Sequence, residues 1–155
     1  MSTGKPSNLS SYCGVYCGGC AWHSGKWRRA ARELIHLTDA YPPMPFEGEL
    51  PFNYSEFLKG LRWLRDERYI CPGCRAGGGP PSCDIRACVN GKGFEFCHQC
   101  TDFPCEKLER MRKEHPDNID NIKRIKEIGL DGWLKEEEEK ARAGRDIHIK
   151  SCESN

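Results

Sequence analysis

The stretch Cys13-Gly14-Val15-Tyr16-Cys17-Gly18-Gly19-Cys20 places three thiols within one short, glycine-rich segment. It opens a run of ten cysteines that ends at Cys105, and one further cysteine, Cys152, follows near the end of the chain. Eleven cysteines in 155 residues is several times the usage of an ordinary soluble protein. The cysteine pattern is therefore the feature from which we infer fold and function.

The spacing of these cysteines is typical of metal ligands. Cys71-Pro-Gly-Cys74 and Cys97-His-Gln-Cys100 lie about two dozen residues apart, and each C-x2-C pair can deliver two thiolates to one ion. We predict that ten cysteines bind metal, as two zinc ions with two cysteines left over, and these are Cys13, Cys17, Cys20, Cys71, Cys74, Cys83, Cys88, Cys97, Cys100 and Cys105. The intervening loops permit several pairings, so the membership of each site stays open.

An iron–sulfur cluster is the alternative cofactor. The C-x3-C-x2-C spacing of the first three cysteines can hold a [4Fe-4S] cluster and leave one iron open. Radical-SAM enzymes share this spacing, but they need a barrel of about 200 residues, and Gly19 occupies a position that is usually aromatic in them. His98 lies inside C-H-Q-C, where its side chain would point away from the ion, and His23, His36, His115 and His148 show no ligand spacing. None of the five is predicted to bind metal.

Composition indicates a small core and no export. Hydrophobic residues make up 37% of the chain, mean hydropathy is −0.73, and there are 16 Gly and 10 Pro, so metal must supplement burial. Because the N-terminal MSTGKPSNLS is polar and no apolar run reaches about 18 residues, we expect no membrane span and a cytoplasmic location. Reduced thiols in that compartment favour metal over disulfides. Cys152 is expected to be a buried hydrophobe or a free tail thiol.

The predicted fold is mainly α, small and loop-rich, with a cysteine-ligated, zinc-knuckle-like body followed by C-terminal helices. Residues 1–11 are predicted to be disordered, residues 12–140 to form a single domain, and residues 141–155 to be a flexible tail. Within the domain, Cys13–Cys105 would form the metal body and residues 106–140 the helical part. The turn-rich segment between Cys71 and Cys105 would be ordered by metal rather than by hydrogen-bonded ladders.

Apolar periodicity predicts the individual helices. One helix covers Trp22–Leu37, with an apolar stripe at Trp27, Ala30, Ala31, Leu34 and Leu37. A proline-rich loop over Tyr41–Pro51 ends it. Asn53 and Glu56 form a predicted capping box for a second helix that runs to about Arg68.

Three further helices are expected after Cys100. Asp102 would cap a helix through Lys113. A short helix with Ile119, Ile122, Ile125 and Ile128 would end at Gly129. Asp131 would cap the last helix, in which Glu136–Glu139 form a solvated face.

The order of several motifs resembles one family. These motifs are Cys13–Cys20, Cys71–Cys74, Cys83–Cys88, Cys97–Cys100, Phe103–Leu108 and Arg124–Leu134. Together they resemble the uncharacterised cysteine-rich family of small bacterial and archaeal proteins catalogued as domain of unknown function 3795, over about residues 12–140. The basic and proline-rich stretch between Cys20 and Cys71 is the part least like that family. The resemblance implies a metal-binding cysteine cluster and no established reaction.

The sequence favours a structural or protein-interaction module over an enzyme. No G-x-S-x-G, P-loop, G-x-G-x-x-G or H-E-x-x-H motif is present, and four-cysteine ligation closes a zinc site. The competing hypothesis is a redox protein or enzyme with an open metal site at C-x3-C-x2-C.

Binding to nucleic acid is a weaker alternative. The net charge is +1, and residues 21–75 hold nine Lys/Arg against seven Asp/Glu. A basic helix with Arg28, Arg29 and Arg32 could contact phosphate together with Trp22, Trp27 and Trp63. From Pro116 to Lys140, however, eight Asp/Glu outnumber five Lys/Arg, which would repel phosphate. We therefore predict a protein partner rather than nucleic acid, and the oligomeric state stays open.

Overall fold

The structure, a computed structural model, describes residues 6–148. Six α-helices are present in this part of the chain: α1 (Ala21–Ser24), α2 (Lys26–Ala40), α3 (Tyr54–Asp66), α4 (Asp84–Gly91), α5 (Glu106–Met111) and α6 (Asn118–Arg142). Short 3-10 helices cover Pro6–Leu9, Cys17–Gly19, Pro45–Glu47, Cys74–Ala76 and Cys97–Gln99. Residues 6–148 contain no β-strand, and Ser10 and Tyr16 form an isolated antiparallel bridge. The prediction of a mainly helical fold with C-terminal helices is confirmed.

The chain divides into two compact units. One unit combines Met1–Ser24 with Cys71–Asn155, and the other is Gly25–Ile70. The second unit lies within the basic and proline-rich stretch between Cys20 and Cys71. No helix among the described residues is both long and apolar enough to span a bilayer.

The unit Gly25–Ile70 is a hairpin of α2 and α3. Asn53 caps α3 as predicted, because its side chain accepts a hydrogen bond from the Glu56 amide at 3.0 Å. The Glu56 carboxylate pairs with Lys59 at 2.6 Å instead of closing a capping box. The Tyr54 hydroxyl donates to the Thr38 carbonyl at 3.1 Å, which joins the start of α3 to the end of α2.

The larger unit has two hydrophobic clusters that share helix α6. The first contains Cys13, Ile85, Val89, Cys97, Leu108 and Ile119. The second contains Tyr16, Phe96, Ile122, Ile125, Trp133 and Leu134. Full burial of one such aliphatic side chain contributes about 1.5–3 kcal/mol. Both clusters include a residue of the first cysteine motif, so this motif packs directly against the core.

Gly129 interrupts α6 where the sequence predicts a helix end. Its backbone is non-helical, with φ 79° and ψ 166°. A positive φ of this kind costs glycine little, because glycine has no Cβ. Ile119, Ile122 and Ile125 before it and Trp133 and Leu134 after it are buried, so both predicted helices are confirmed as two parts of α6.

Several local predictions differ from the structure. Asp102 does not cap α5, which begins only at Glu106 after Cys105, because Pro104 restricts the residue before it. Glu137 is buried rather than solvated, and its carboxylate lies 2.5 Å from the Lys140 ammonium, which compensates its charge. The break at Gly25 (φ 70°) splits the first predicted helix into α1 and α2.

Near the two ends of the described chain, several residues are buried or hydrogen-bonded. Ser10 and Ser11 are buried, and the Ser11 amide donates to the Val15 carbonyl at 2.9 Å. Near the other end, Asp146 is buried and the Ile147 amide donates to the Gly19 carbonyl at 3.2 Å. The predictions for residues 1–5 and for the tail beyond residue 148, including Cys152, lie outside the described residues.

Candidate metal centre

All ten predicted ligand cysteines lie in the larger unit and are free thiols. Cys13, Cys17, Cys20 and Cys97 are buried, and the other six are partly buried. Three 3-10 turns begin at cysteines of the C-x2-C segments, at Cys17, Cys74 and Cys97. The fold therefore places the N-terminal motif in the same unit as Cys71–Cys105.

The first group of thiols combines Cys17 and Cys20 with Cys71 and Cys74. Burial raises the pKa of Cys17 to about 11, and the thiolates of Cys74, Cys20 and Cys71 also raise it. A hydrogen bond from the Cys74 amide to the Cys17 sulfur acts in the opposite direction. Burial also raises the pKa of Cys20, with a further contribution from Cys71. Cys17 thus has the other three thiols of this group as electrostatic neighbours.

Backbone hydrogen bonds join the two turns that carry this group. The Cys71 amide donates to the Trp22 carbonyl at 2.9 Å. His23 Nδ1 lies 2.8 Å from the Cys71 carbonyl oxygen. The His23 amide donates to the Cys20 carbonyl at 3.1 Å, and hydrogen bonding from the backbone of His23 and Trp22 lowers the Cys20 pKa against the effect of burial. These bonds fix Cys20 and Cys71 as neighbours.

The second group is Cys88, Cys97, Cys100 and Cys105. All four line one cavity of about 330 Å³. Burial raises the pKa of Cys97 to about 12, and the thiolates of Cys13, Cys105, Cys88 and Cys100 add to this increase. The cavity therefore collects four thiols from α4, the C-H-Q-C turn and the residue before α5.

Lys92 is a charged residue of this cavity that sequence analysis missed. Its Nζ lies 3.1 Å from Cys100 Sγ and 3.8 Å from the Asp102 carboxylate. The hydrogen bond with Cys100 raises the pKa of Lys92. No motif marks this lysine, because its position follows from the end of α4 rather than from cysteine spacing.

Cys13 and Cys83 belong to neither group of four, and both are electrostatic neighbours of Cys74. Burial raises the pKa of Cys13 to about 11, and its electrostatic neighbours include Cys74 and Cys83. Ser11 Oγ lies 3.2 Å from Cys13 Sγ. Cys83 is the N-cap of α4, where its sulfur accepts a hydrogen bond from the Arg86 amide at 3.5 Å. These two cysteines have structural contacts of their own.

Hydrogen bonds from arginine organise the glycine- and proline-rich loop after Cys74. Arg86 donates to the carbonyls of Gly78 at 2.6 Å and Pro80 at 2.8 Å. Arg75 donates to the carbonyls of Ser10 at 3.0 Å and Glu95 at 2.9 Å. Ordering of this region by metal stays a prediction, whereas these arginine hydrogen bonds are present in the structure and are not predicted by any local sequence signal.

The chemistry of the donor set fits a thiophilic ion, although the side chains are not arranged around one. Among residues 6–148, no three or more Cys, His, Asp or Glu side chains form a group that could hold a metal ion. Thiol sulfurs in two groups of four are nevertheless the donors that zinc and iron–sulfur clusters prefer. The ligand assignment therefore stays a prediction.

The other four histidines lie at three different places, two in the larger unit and one in the hairpin. His98 stacks on Phe96 with ring centroids 5.9 Å apart. Burial lowers the pKa of His98, and the positive charge of Lys126 lowers it further. The ring centroids of His115 and His148 lie 5.2 Å apart in an edge-on arrangement. Both residues line a second cavity of about 660 Å³. His36 is exposed on α2.

Comparison with known proteins gives a family and no function. The family described as protein of unknown function (DUF3795) matches residues 9–110. The match includes all ten predicted ligand cysteines and ends before the Arg124–Leu134 motif. Neither the curated proteins nor the solved structures gave a match to this chain. Since the matched segment covers about two thirds of the 155 residues, the chain belongs to the DUF3795 family of proteins of unknown function.

Proposed function

We propose that this protein is a zinc-binding structural or protein-interaction module with two four-cysteine sites. The first site would use Cys17, Cys20, Cys71 and Cys74, and the second Cys88, Cys97, Cys100 and Cys105. The observation that carries the proposal is the second group, in which four cysteines line one cavity and the other three are electrostatic neighbours of Cys97. Four thiolates are the complete ligand set of a structural zinc site.

Hydrogen bonds to sulfur support the first site. The Cys74 amide donates to Cys17, and hydrogen bonding from the backbone of His23 and Trp22 lowers the Cys20 pKa. Donors of this kind stabilise a thiolate relative to a thiol and orient it towards a metal.

Zinc binding would require the cysteine side chains to change rotamer. One torsion, χ1, directs each cysteine sulfur, and it has three staggered positions. Zinc would select the rotamers in which four sulfurs meet, while the backbone turns keep their positions. Zinc displaces thiol protons when it binds, and the raised pKa values of Cys17 and Cys97 indicate that both thiols are protonated without a cation.

The same arrangement favours a closed site over an open catalytic one. An open C-x3-C-x2-C site would join Cys13 to Cys17 and Cys20. The thiolates that raise the pKa of Cys13 most are instead Cys74 and Cys83. Four thiolates on zinc carry two net negative charges, and Lys92 beside Cys100 offsets part of that charge. A site saturated by protein ligands leaves no position for substrate.

Elemental analysis of protein purified without oxygen tests the proposal. We expect about two zinc ions per chain and no visible absorption band. A brown protein that absorbs near about 400 nm would show that the cofactor is an iron–sulfur cluster and not zinc. A folded protein without metal would exclude both cofactors.

Single cysteine variants test which thiols share a site. Cys74→Ser and Cys97→Ser should each reduce the zinc content to about one per chain. Cys83→Ser is the matched control, because serine is a good N-cap and can keep the cap of α4. It should retain about two zinc ions. Loss of zinc from Cys83→Ser would show that Cys83 is a ligand and that the grouping is wrong.

A further inference from the structure

The unit Gly25–Ile70 carries most of the large hydrophobic side chains that are exposed in the described part of the chain. Thirteen large hydrophobic side chains are exposed in the described part of the chain, and eleven of them belong to this unit: Trp27, Leu34, Leu37, Tyr41, Met44, Phe46, Phe52, Phe57, Trp63, Tyr69 and Ile70. The same unit buries the apolar side chains of Ala31, Ile35 and Leu61 only, among the residues described. An apolar surface of this extent is typical of an interaction site.

Helix α2 has an open apolar stripe with the spacing of a coiled-coil seam. Trp27, Ala30, Leu34 and Leu37 are separated by three, four and three residues, the a and d positions of a heptad. Trp27 is 40% exposed, Leu34 40% and Leu37 47%. The buried residues of α2, Ala31 and Ile35, form an adjacent face. Of the apolar stripe that the sequence shows on this helix, Ala31 is buried, Trp27 lies under the Arg68 guanidinium at 4.0 Å, and the rest is exposed.

The hairpin separates its charges between its two ends. Arg28 Nη2 lies 3.5 Å from the Arg68 carbonyl, and Tyr54 contacts Thr38, so α2 and α3 are antiparallel. Residues 26–32 and 62–68, at one end, hold seven Lys/Arg and two Asp/Glu. Residues 33–61, towards the other end, hold five Asp/Glu and one Lys. The small net charge of this segment conceals a basic end and an acidic end.

A second copy of the same chain would complement both the exposed apolar stripe of α2 and the separation of charge between the two ends of the hairpin. In a twofold-symmetric pair with antiparallel α2 helices, each apolar stripe covers the other, and each basic end lies beside the acidic end of the partner. A parallel pair would place the two basic ends together. A polyanion would suit the basic end but would be repelled by the acidic end. We propose that Gly25–Ile70 is the interface of a symmetric homodimer formed by antiparallel packing of two α2 stripes.

Sedimentation equilibrium of the full chain over a range of concentrations tests this proposal. We expect a species of twice the 17.7 kDa chain mass. Leu34→Glu places a charge in the seam of both copies and should raise the dimer dissociation constant about a hundredfold or more. Leu34 is already partly exposed, so circular dichroism should show an unchanged monomer fold. Ile128→Glu, at an exposed position of α6, is the matched control and should leave the dissociation constant unchanged.

Charge reversal tests the antiparallel orientation. Glu47→Lys with Glu49→Lys should weaken the dimer about tenfold at low salt and less at high salt. Glu138→Lys with Glu139→Lys, on α6, is the control and should leave the dimer dissociation constant unchanged. Adding Arg29→Glu and Arg32→Glu to the first pair should restore dimerisation.

Three outcomes would overturn the proposal. The first is a chain that stays monomeric at its highest soluble concentration, and the second is a dimer that Ile128→Glu disrupts while Leu34→Glu does not. The third is a monomer that binds a single-stranded oligonucleotide through this unit with steep salt dependence, which would assign the surface to a polyanion.

Discussion

His23 Nδ1 lies 2.8 Å from the backbone carbonyl oxygen of Cys71, which is 48 residues later in the chain. The imidazole thus connects the turn after Cys20 to the turn that begins at Cys71. In the proposed first zinc site both cysteines are ligands, and His23 would hold one ligand turn against the other. Groups that orient metal ligands in this way commonly contribute to affinity.

His23→Ala should therefore weaken zinc at the first site by about 10–100-fold. Competition with a chromophoric chelator measures this loss as a shift of one of the two zinc ions to lower affinity. His36→Ala, on the exposed side of α2, is the control and should keep the wild-type curve. An unchanged curve for His23→Ala would mean that the hydrogen bond to Cys71 does not support the site.

Chelation of zinc should unfold the larger unit, because a small core depends on the ligated metal. Trp133 provides the signal, since it is completely buried, whereas Trp22, Trp27 and Trp63 are already partly exposed. A strong chelator should shift tryptophan emission to longer wavelength, and excess zinc should reverse the shift. Emission that does not change after complete zinc removal would contradict a structural role for the metal.

Periodicity in the sequence predicts where helices lie better than it predicts which face is buried. The repeating isoleucines of α6 and the stop at Gly129 are local signals, and both are confirmed. In α2, two apolar stripes lie side by side, and the buried one contains Ala31 and Ile35. Their burial depends on α3, which the pattern of α2 alone does not describe.

The sequence likewise predicts the candidate metal centre only in part. Cysteine spacing identifies the thiols, but the association of Cys17 with Cys71 and of Cys97 with Cys105 depends on the tertiary fold. Lys92 belongs to no motif, and the motif Cys83–Cys88 does not reveal what Arg86 does, because each residue acts on carbonyls or sulfurs that the fold brings to it. Residues of this kind can be found only after the loops are placed.

Gly14 allows the first cysteine motif to lie directly against α6. Its φ is +85°, and a Cβ at this position would collide with the Asn118 carbonyl and approach Ile122 Cγ1 to 2.9 Å. Gly14→Ala should therefore lower the free energy of unfolding by about 3 kcal/mol or more, from strain and overpacking together. Urea denaturation measures the change.

Gly144→Ala separates these two causes. Gly144 also has a positive φ, +98°, but a Cβ added to it would have no atom within 4 Å. This variant should cost only the backbone strain, about 1–2 kcal/mol. Equal losses for the two variants would show that the contact of Gly14 with α6 contributes nothing to stability.

The ion pair between Glu137 and Lys140 should stabilise α6 more than its exposed neighbour does. The Glu137 side chain is 4% exposed and lies 2.5 Å from Lys140 Nζ. Lys140→Met leaves this buried carboxylate without its partner and should cost about 1–2 kcal/mol. Arg142→Met breaks the exposed pair with Glu138 and should cost about 0.5 kcal/mol or less. Thermal denaturation of both variants decides the order, and a larger loss for Arg142→Met would contradict it.

His115 should make folding less favourable as the pH falls. Burial lowers the pKa of His115 below its ordinary value, the positive charge of His148 lowers it further, and Glu114 acts in the opposite direction. The unfolded chain, in which the histidine pKa is about 6.5, therefore binds a proton more readily than the folded chain. The stability that neutral His115 provides is complete above that pH and is lost as the pH falls through about 6.5 towards the folded pKa.

Comparison of variants isolates the contribution of His115, because the other titratable groups are protonated in the same way in wild type and in each variant. The advantage of wild type over His115→Gln in free energy of unfolding should decrease between about pH 7.5 and pH 5.5. His36→Gln should differ from wild type by the same amount at every pH, because His36 is exposed on α2. Urea denaturation at each pH gives these differences. An advantage that stays constant or grows on acidification would show that His115 is not held neutral by its burial against His148.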